Sequence, residues 1–202
     1  MKISEILTKH GTDKTFNNRN GHCYGETYDN LFEKYKRDSK ISILEVGVHH
    51  GNSLGAWKES FPNAFVCGID MVDNRYPQYK KDELHFILGD IKDINIKSHP
   101  YISNKTFDVM IDDGSHYLPD VIFFIKNYID LLSDDGCMII EDVQNPKEWE
   151  DMINAIISPD YQMILKDFRK INYRSDDFLI IIKRKIFYIS QLKKPIDLQS
   201  IG

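Results

Sequence analysis

Five short apolar runs, at residues 43–48, 64–69, 84–88, 107–111 and 137–140, constrain this chain of 202 residues more than anything else in it. None shows the strict polar alternation of a half-solvated strand, and each is too short for a buried helix. They read as strands covered on both faces, which is the condition of a parallel sheet flanked by crossover helices. Helical spacing fills the gaps: residues 54–61, closed by Pro62, and residues 119–132, which open on a proline and end near Asp134-Asp135-Gly136. Trp149, Met152, Ile153 and Ile156 mark another helix after Pro146. Two more runs, at 162–168 and 178–182, bring the expected sheet to seven strands. The fold class is therefore α/β and doubly wound, with a mostly parallel sheet.

Several of these runs stop abruptly at acids. The fourth leads into Asp112-Asp113-Gly114-Ser115-His116 and the fifth into Glu141-Asp142. If the two strands are neighbours, one sheet edge carries hard oxygen ligands for a divalent cation and an imidazole able to take a proton. The first run enters a helix through Glu45-Val46-Gly47-Val48-His49-His50-Gly51-Asn52-Ser53. Its glycines are spaced Gly-x-x-x-Gly, unlike the Gly-x-Gly-x-x-Gly turn that cradles a dinucleotide pyrophosphate, which argues against a nicotinamide enzyme. The second run ends at Asp70, where such folds bind ribose hydroxyls, and the third at Gly89-Asp90, placed for an adenine amino group. Singly, each acid is as readily a strand-end turn residue. Glu45-x-Gly47, Asp70 and Asp90 on three successive strands together point to a nucleoside-bearing cofactor.

Ahead of the sheet, Ile3, Ile6 and Leu7 predict a short helix stopping at Gly11, and Tyr28, Leu31, Phe32 and Tyr35 a second over 26–35. A polar loop separates them. With 42% hydrophobic residues the length supports one core and one domain. The net charge of -5, from 26 basic and 31 acidic residues, disfavours a nucleic-acid track and suits small or neutral substrates. Cys23, Cys67 and Cys137 form neither a disulfide framework nor a zinc knuckle, and no stretch has the length of a membrane span. A soluble, unprocessed cytoplasmic protein is the expectation. Homo-oligomerisation is left open.

The chain resembles the class I S-adenosylmethionine-dependent methyltransferases, and within them the metal-dependent sugar O-methyltransferases of macrolide tailoring (mycinamicin and tylosin type), with relatives in polysaccharide clusters and cephalosporin tailoring. The residues that carry the likeness include Gly11-Thr12-Asp13-Lys14, His22-x-Tyr24, Tyr28, Leu44-Glu45-Val46-Gly47-Val48, Gly51-x-Ser53-Leu54, Trp57, Gly68-Ile69-Asp70, Gly89-Asp90, Ile111-Asp112-Asp113-Gly114-Ser115-His116 and Ile140-Glu141-Asp142. Asn52 and Ile91 depart from it, standing where many relatives carry glycine and glutamine.

The resemblance implies a Rossmann-like seven-stranded methyltransferase fold forming one domain: a cofactor-covering segment (1–40), a core (41–184) and a tail (185–202). It implies S-adenosylmethionine and Mg²⁺, or another divalent cation, as cofactors. Asp113, Glu141 and Asp142 become the metal ligands and His116 the general base. Thr12, Lys14, Tyr24 and Tyr28 would cover the methionine end of the cofactor, Lys14 pairing with its carboxylate. Glu45, Gly47, Gly51, Ser53, Asp70 and Asp90 would line the rest, and Asp112 would contact cofactor or fix its turn. Trp57 is expected as a packing anchor, and Trp149 stands between core and substrate rim. Two other readings stay open: a metal-dependent methyltransferase of a catechol-like molecule, and a non-catalytic cofactor-binding subunit.

Overall fold

The structure, a computed structural model, describes residues 2–16 and 21–185. Two helices come first, α1 (Ile3–His10) and α2 (Gly25–Phe32), followed by β1 (Ser42–Val46), α3 (Asn52–Ser60), β2 (Phe65–Asp70) and β3 (Leu84–Leu88). The second half comprises β4 (Phe107–Asp112), α4 (Leu118–Tyr128), β5 (Leu132–Ile140), α5 (Pro146–Asn154), β6 (Tyr161–Asp167), α6 (Arg169–Asn172) and β7 (Phe178–Arg184). The seven strands form one sheet in the order β3-β2-β1-β4-β5-β7-β6. β1 to β5 pair in parallel, and β7 runs antiparallel between β5 and β6.

Alternation along the strands explains the two-sided cover. Ile43 and Leu44, adjacent on β1, point to opposite faces and enter different apolar clusters. Ile6, Leu7, Tyr28, Phe32, Leu54 and Trp57 from α1, α2 and α3 pack on one face. Val121, Phe124, Tyr128, Trp149 and Ile153 from α4 and α5 pack on the other. Both tryptophans are buried, so Trp149 belongs to the core and not to a substrate rim. Trp57 stacks on Phe32 at 5.4 Å between centroids and serves as the expected anchor.

Helix ends follow their local chemistry. Gly11 ends α1 at φ 71°, its N–H reaching the carbonyls of Leu7 and Thr8, which is a turn that glycine makes without a Cβ clash. Pro119 stands in the first turn of α4 and Pro146 opens α5. The second helix stops at Phe32 instead of Tyr35. β5 begins five residues before the expected run, because Leu132 pairs with Phe107 across an irregular register and the intervening acids Asp134 and Asp135 stay exposed. Lys183 and Arg184 continue β7, paired with Cys137 on one side and Tyr161 on the other. Beyond Lys185 the tail lies outside the described residues.

The order reverses between β1 and β4, and the crevice at the carboxyl ends of those two strands is where open α/β sheets bind ligands. Hydrogen bonds extend the ladder past the strand ends: Asp113 N–H donates to Val46 O at 2.9 Å and Glu141 N–H to Asp112 O at 2.9 Å. The backbone approach is tight at Gly47, φ 85°, where an added Cβ would stand 1.9 Å from the Asp113 carbonyl oxygen. Gly47→Ala therefore combines left-handed strain with a backbone clash. We expect it to lower stability by about 3 kcal/mol in urea unfolding.

Candidate functional site

The switch point opens into a cavity of about 750 Å³, within the range of small-molecule and cofactor sites. Its walls come from the Gly11–Lys14 segment, the turn after β1, and the loops after β2, β3, β4 and β5. Of the residues singled out by sequence, Thr12, Lys14, Gly47, Ser53, Asp70, Asp90, Asp112, Asp113, His116 and Asp142 line it. Tyr24, Tyr28, Glu45, Gly51 and Glu141 do not, and hold up its walls from behind.

At the carboxyl end of β2, Asp70 Oδ2 accepts from the N–H groups of Val48 at 2.8 Å and His49 at 2.9 Å, while Oδ1 accepts from Val72 N–H at 3.1 Å. The carboxylate is thus held rigid at the tip of β2. Asp90 Oδ1 accepts from Lys92 N–H at 2.9 Å. Lys92 Nζ reaches Asp120 Oδ1 at 3.0 Å, and Ser115 Oγ donates to the other oxygen of Asp120 at 2.8 Å, so the loops after β3 and β4 are tied together along this wall.

At the opposite end, oxygens of Asp113 and Asp142 and a ring nitrogen of His116 lie within 4.8 Å of one another. His116 Nε2 is 3.7 Å from Asp142 Oδ2. His116 and Asp142 both take left-handed backbone angles, φ 52° and 56°. Non-glycine residues hold such angles at a cost of about 1–3 kcal/mol, and cluster where a side chain must be aimed.

The N-terminal segment grips this acidic edge from behind. Lys14 Nζ stands 2.5 Å from Asp113 Oδ2, 3.0 Å from Glu141 Oε2 and 3.3 Å from Glu45 Oε1. Tyr28 OH donates to Glu141 Oε1 and Tyr24 OH to Asp142 Oδ1, the latter at 2.8 Å. Glu45 also accepts from Trp57 Nε1 at 3.0 Å. Sequence reasoning gave Lys14 the cofactor's carboxylate and Glu141 the metal. The geometry gives Lys14 three protein carboxylates, and leaves Glu141 outside the cluster that Asp113, His116 and Asp142 form.

Two residues outside the expected set complete the arrangement. His22 Nε2 lies 3.3 Å from Asp142 Oδ1, and its Nδ1 is 3.3 Å from Oδ1 of the buried Asp177. Asp177 also accepts from Cys23 N–H at 3.3 Å. His22 stood in the motif shared with the methyltransferases, which was the available signal; Asp177, just ahead of β7, had none.

Burial pushes Glu141 up well above the carboxylate range, with Lys14 opposing it, and raises Asp142, with Asp113 adding to the effect and His22 opposing it. Burial also raises Glu45 against the pull of Lys14. Burial works to lower Lys14, but Asp113, Glu141 and Glu45 outweigh it and the ammonium is held charged. For His22 burial is likewise overcome, by Asp177 and Asp142, so its proton is held more tightly. Five carboxyl groups, of Glu45, Asp113, Glu141, Asp142 and Asp177, thus meet one ammonium and the imidazoles of His22 and His116. This oxygen-rich, negatively charged donor set fits a hard divalent cation, with Asp113 and Asp142 presenting it to the cavity.

Asp112, buried with Gly114 N–H on its Oδ1, is pushed up to about 7, chiefly by burial, with that hydrogen bond and His116 opposing. Because the folded state holds this proton more tightly than the unfolded chain, its stabilisation is full below about pH 4 and is lost as pH rises through 7. Asp112→Asn, which keeps the acceptor oxygen, should leave stability at pH 4 unchanged and raise it at pH 8, by at most about 4 kcal/mol, in paired urea titrations.

No family model matches the chain. Among curated proteins it is 26% identical over 149 residues to an 8-demethyl-8-alpha-L-rhamnosyl tetracenomycin-C 2'-O-methyltransferase of Streptomyces olivaceus, covering 70% of this chain and 38% of that protein. It is 31% identical over 131 residues to the mycinamicin VI 2''-O-methyltransferase of Micromonospora griseorubida, covering 60% and 32%. The chain thus spans about a third of the length of the curated relatives it matches. Among solved structures, the MycE methyltransferase of the mycinamycin pathway in complex with Mg and SAH superposes with a TM-score of 0.70 at 22% identity, over 91% of this chain and 55% of that one. SAH-bound PaMTH1 of Podospora anserina gives 0.60 at 16%, over 91% and 88%. At those identities the structural likeness is one of fold. The chain has the Rossmann-like class I methyltransferase fold, and its curated homologues are sugar O-methyltransferases of macrolide and tetracenomycin pathways.

Proposed function

We propose that this protein is an S-adenosylmethionine-dependent O-methyltransferase whose acceptor is a hydroxyl of a sugar or glycosylated metabolite. The observation that carries the reading is the meeting of Asp113, Asp142 and His116 on the wall of the switch-point cavity, opposite the Asp70 and Asp90 end. The relatives' methyltransferase activities, and the Mg and SAH in the MycE complex, support this cofactor pair. S-adenosylmethionine carries a methyl on its sulfonium, and a divalent cation, when bound, makes a coordinated hydroxyl more acidic and fixes its oxygen.

This chain's residues do the rest. Asp113 and Asp142 would hold the cation, which would orient the acceptor oxygen, and Asp70 and Asp90 would hold ribose and adenine. The acceptor oxygen forms the new bond to the methyl carbon as the carbon–sulfur bond breaks, and His116 takes the hydroxyl proton. Tyr24 and His22 keep Asp142 in its strained position through the transfer. A catechol slot would be expected to carry aromatic walls at the metal end. Gly114 and Ser115, which separate Asp113 from His116 in the lining, carry no aromatic ring, and this favours a polyhydroxylated acceptor. The three free thiols and the net charge of -5 support a reducing, cytoplasmic setting and a small-molecule or glycan acceptor over nucleic acid.

Calorimetry should show S-adenosylhomocysteine binding to the purified chain, and no binding by well-folded protein overturns the reading. His116→Ala should cut methyl transfer to a deoxysugar or rhamnosyl acceptor by about 10²–10⁴-fold while leaving S-adenosylhomocysteine affinity unchanged.

A further inference from the structure

We infer that Lys14 is an exchangeable counter-cation, held by Asp113 and Glu141 in the metal-free protein and released toward the cofactor's carboxylate when a divalent cation binds, so that metal and cofactor bind cooperatively. The inference rests on the methyltransferase reading above and adds to it an order of events at the site.

Three features carry it. Lys14 is 1% exposed, yet it is one of the residues that line the cavity, together with Gly11, Thr12 and Asp13. Both oxygens of Glu141 are taken by donors of the N-terminal segment, Lys14 on Oε2 and Tyr28 on Oε1, so Glu141 cannot turn to a cation while that ammonium stays. Asp113 Oδ2 is shared: it sits 2.5 Å from the ammonium and belongs to the residue that opens the Asp113, His116 and Asp142 cluster. A divalent cation on Asp113 and Asp142 would therefore stand close to the Lys14 charge in a site with little water, where like charges repel with little screening.

Glu45, the third partner of the ammonium, is wholly buried and tied to Trp57, and the open space beside this cluster is the cavity that Lys14 lines. A ligand with an α-amino-acid carboxylate offers the released charge a new partner there. Whatever favours the displaced lysine at one site then favours it at the other, and by linkage each ligand must raise the other's affinity by the same factor.

Calorimetry on the full chain with two nucleosides separates the cases: S-adenosylhomocysteine, which has the carboxylate, and 5'-methylthioadenosine, which lacks the amino-acid portion. Mg²⁺ should tighten S-adenosylhomocysteine at least five-fold, with the reciprocal effect on Mg²⁺, and leave 5'-methylthioadenosine unchanged. In Lys14→Met, Mg²⁺ alone should bind at least ten-fold tighter and the coupling should vanish. Equal affinities of S-adenosylhomocysteine with and without Mg²⁺, or equal coupling for both nucleosides, would overturn the exchange and leave the methyltransferase reading standing. Failure of S-adenosylhomocysteine to bind at all would remove both. If Lys14→Met does not fold, the comparison of the two nucleosides on the unaltered protein still decides.

Discussion

A single buried ammonium organises the acidic end of the cavity. Lys14, from a loop ahead of the sheet, bonds the carboxylates of Asp113 and Glu141 and pairs with that of Glu45, so three strand ends are fixed to one point. Stripped of that ammonium, Glu45 and Glu141 would be left as buried acids without a cation, an arrangement that typically destabilises a fold by several kcal/mol. The same contact determines what the site can be. Its five carboxyl groups are too many for Lys14, His22 and His116 to neutralise, and Asp113 and Asp142 line the cavity.

Around that point the sheet does what open α/β sheets do. The order reversal between β1 and β4 leaves a crevice, and the parallel register places Val46, Asp112 and Ile140 side by side so that the following residues converge. Gly47 permits the closest approach, since any larger residue would meet the Asp113 backbone. The N-terminal segment then acts as the back wall as well as the cover: Tyr24 and Tyr28 bond the acids from beneath, and Lys14 alone among these three reaches the cavity.

Much of this was legible in the sequence because it is local. Short apolar runs ending in acids gave the five parallel strands and the sites of Asp70, Asp90, Asp113 and His116, each of which depends on residues within one strand and its loop. What escaped depends on distant partners. Lys14 and Glu141 are 127 residues apart, and nothing in Gly11-Thr12-Asp13-Lys14 shows which carboxylate the ammonium meets. His22 and Asp177 are separated by 155. The burial of Glu45 was hidden for a related reason: a strand-end acid reads the same whether it faces the crevice or, as here, lies sealed against Trp57. The start of β5 was hidden by the polar residues Ser133 to Asp135, which span the register shift between the Phe107–Leu132 and Val109–Cys137 pairs.

The central claim is that Asp113 and Asp142, beside His116, form the metal end of a methyl-transfer cavity. Crystals grown with Mn²⁺ and S-adenosylhomocysteine test it most directly through the anomalous signal of manganese. The account predicts one strong peak within bonding distance of Asp113 and Asp142 carboxylate oxygens, with the nucleoside lying toward Asp70 and Asp90. A peak elsewhere in the cavity, or a nucleoside bound with no manganese at these two aspartates, would contradict it.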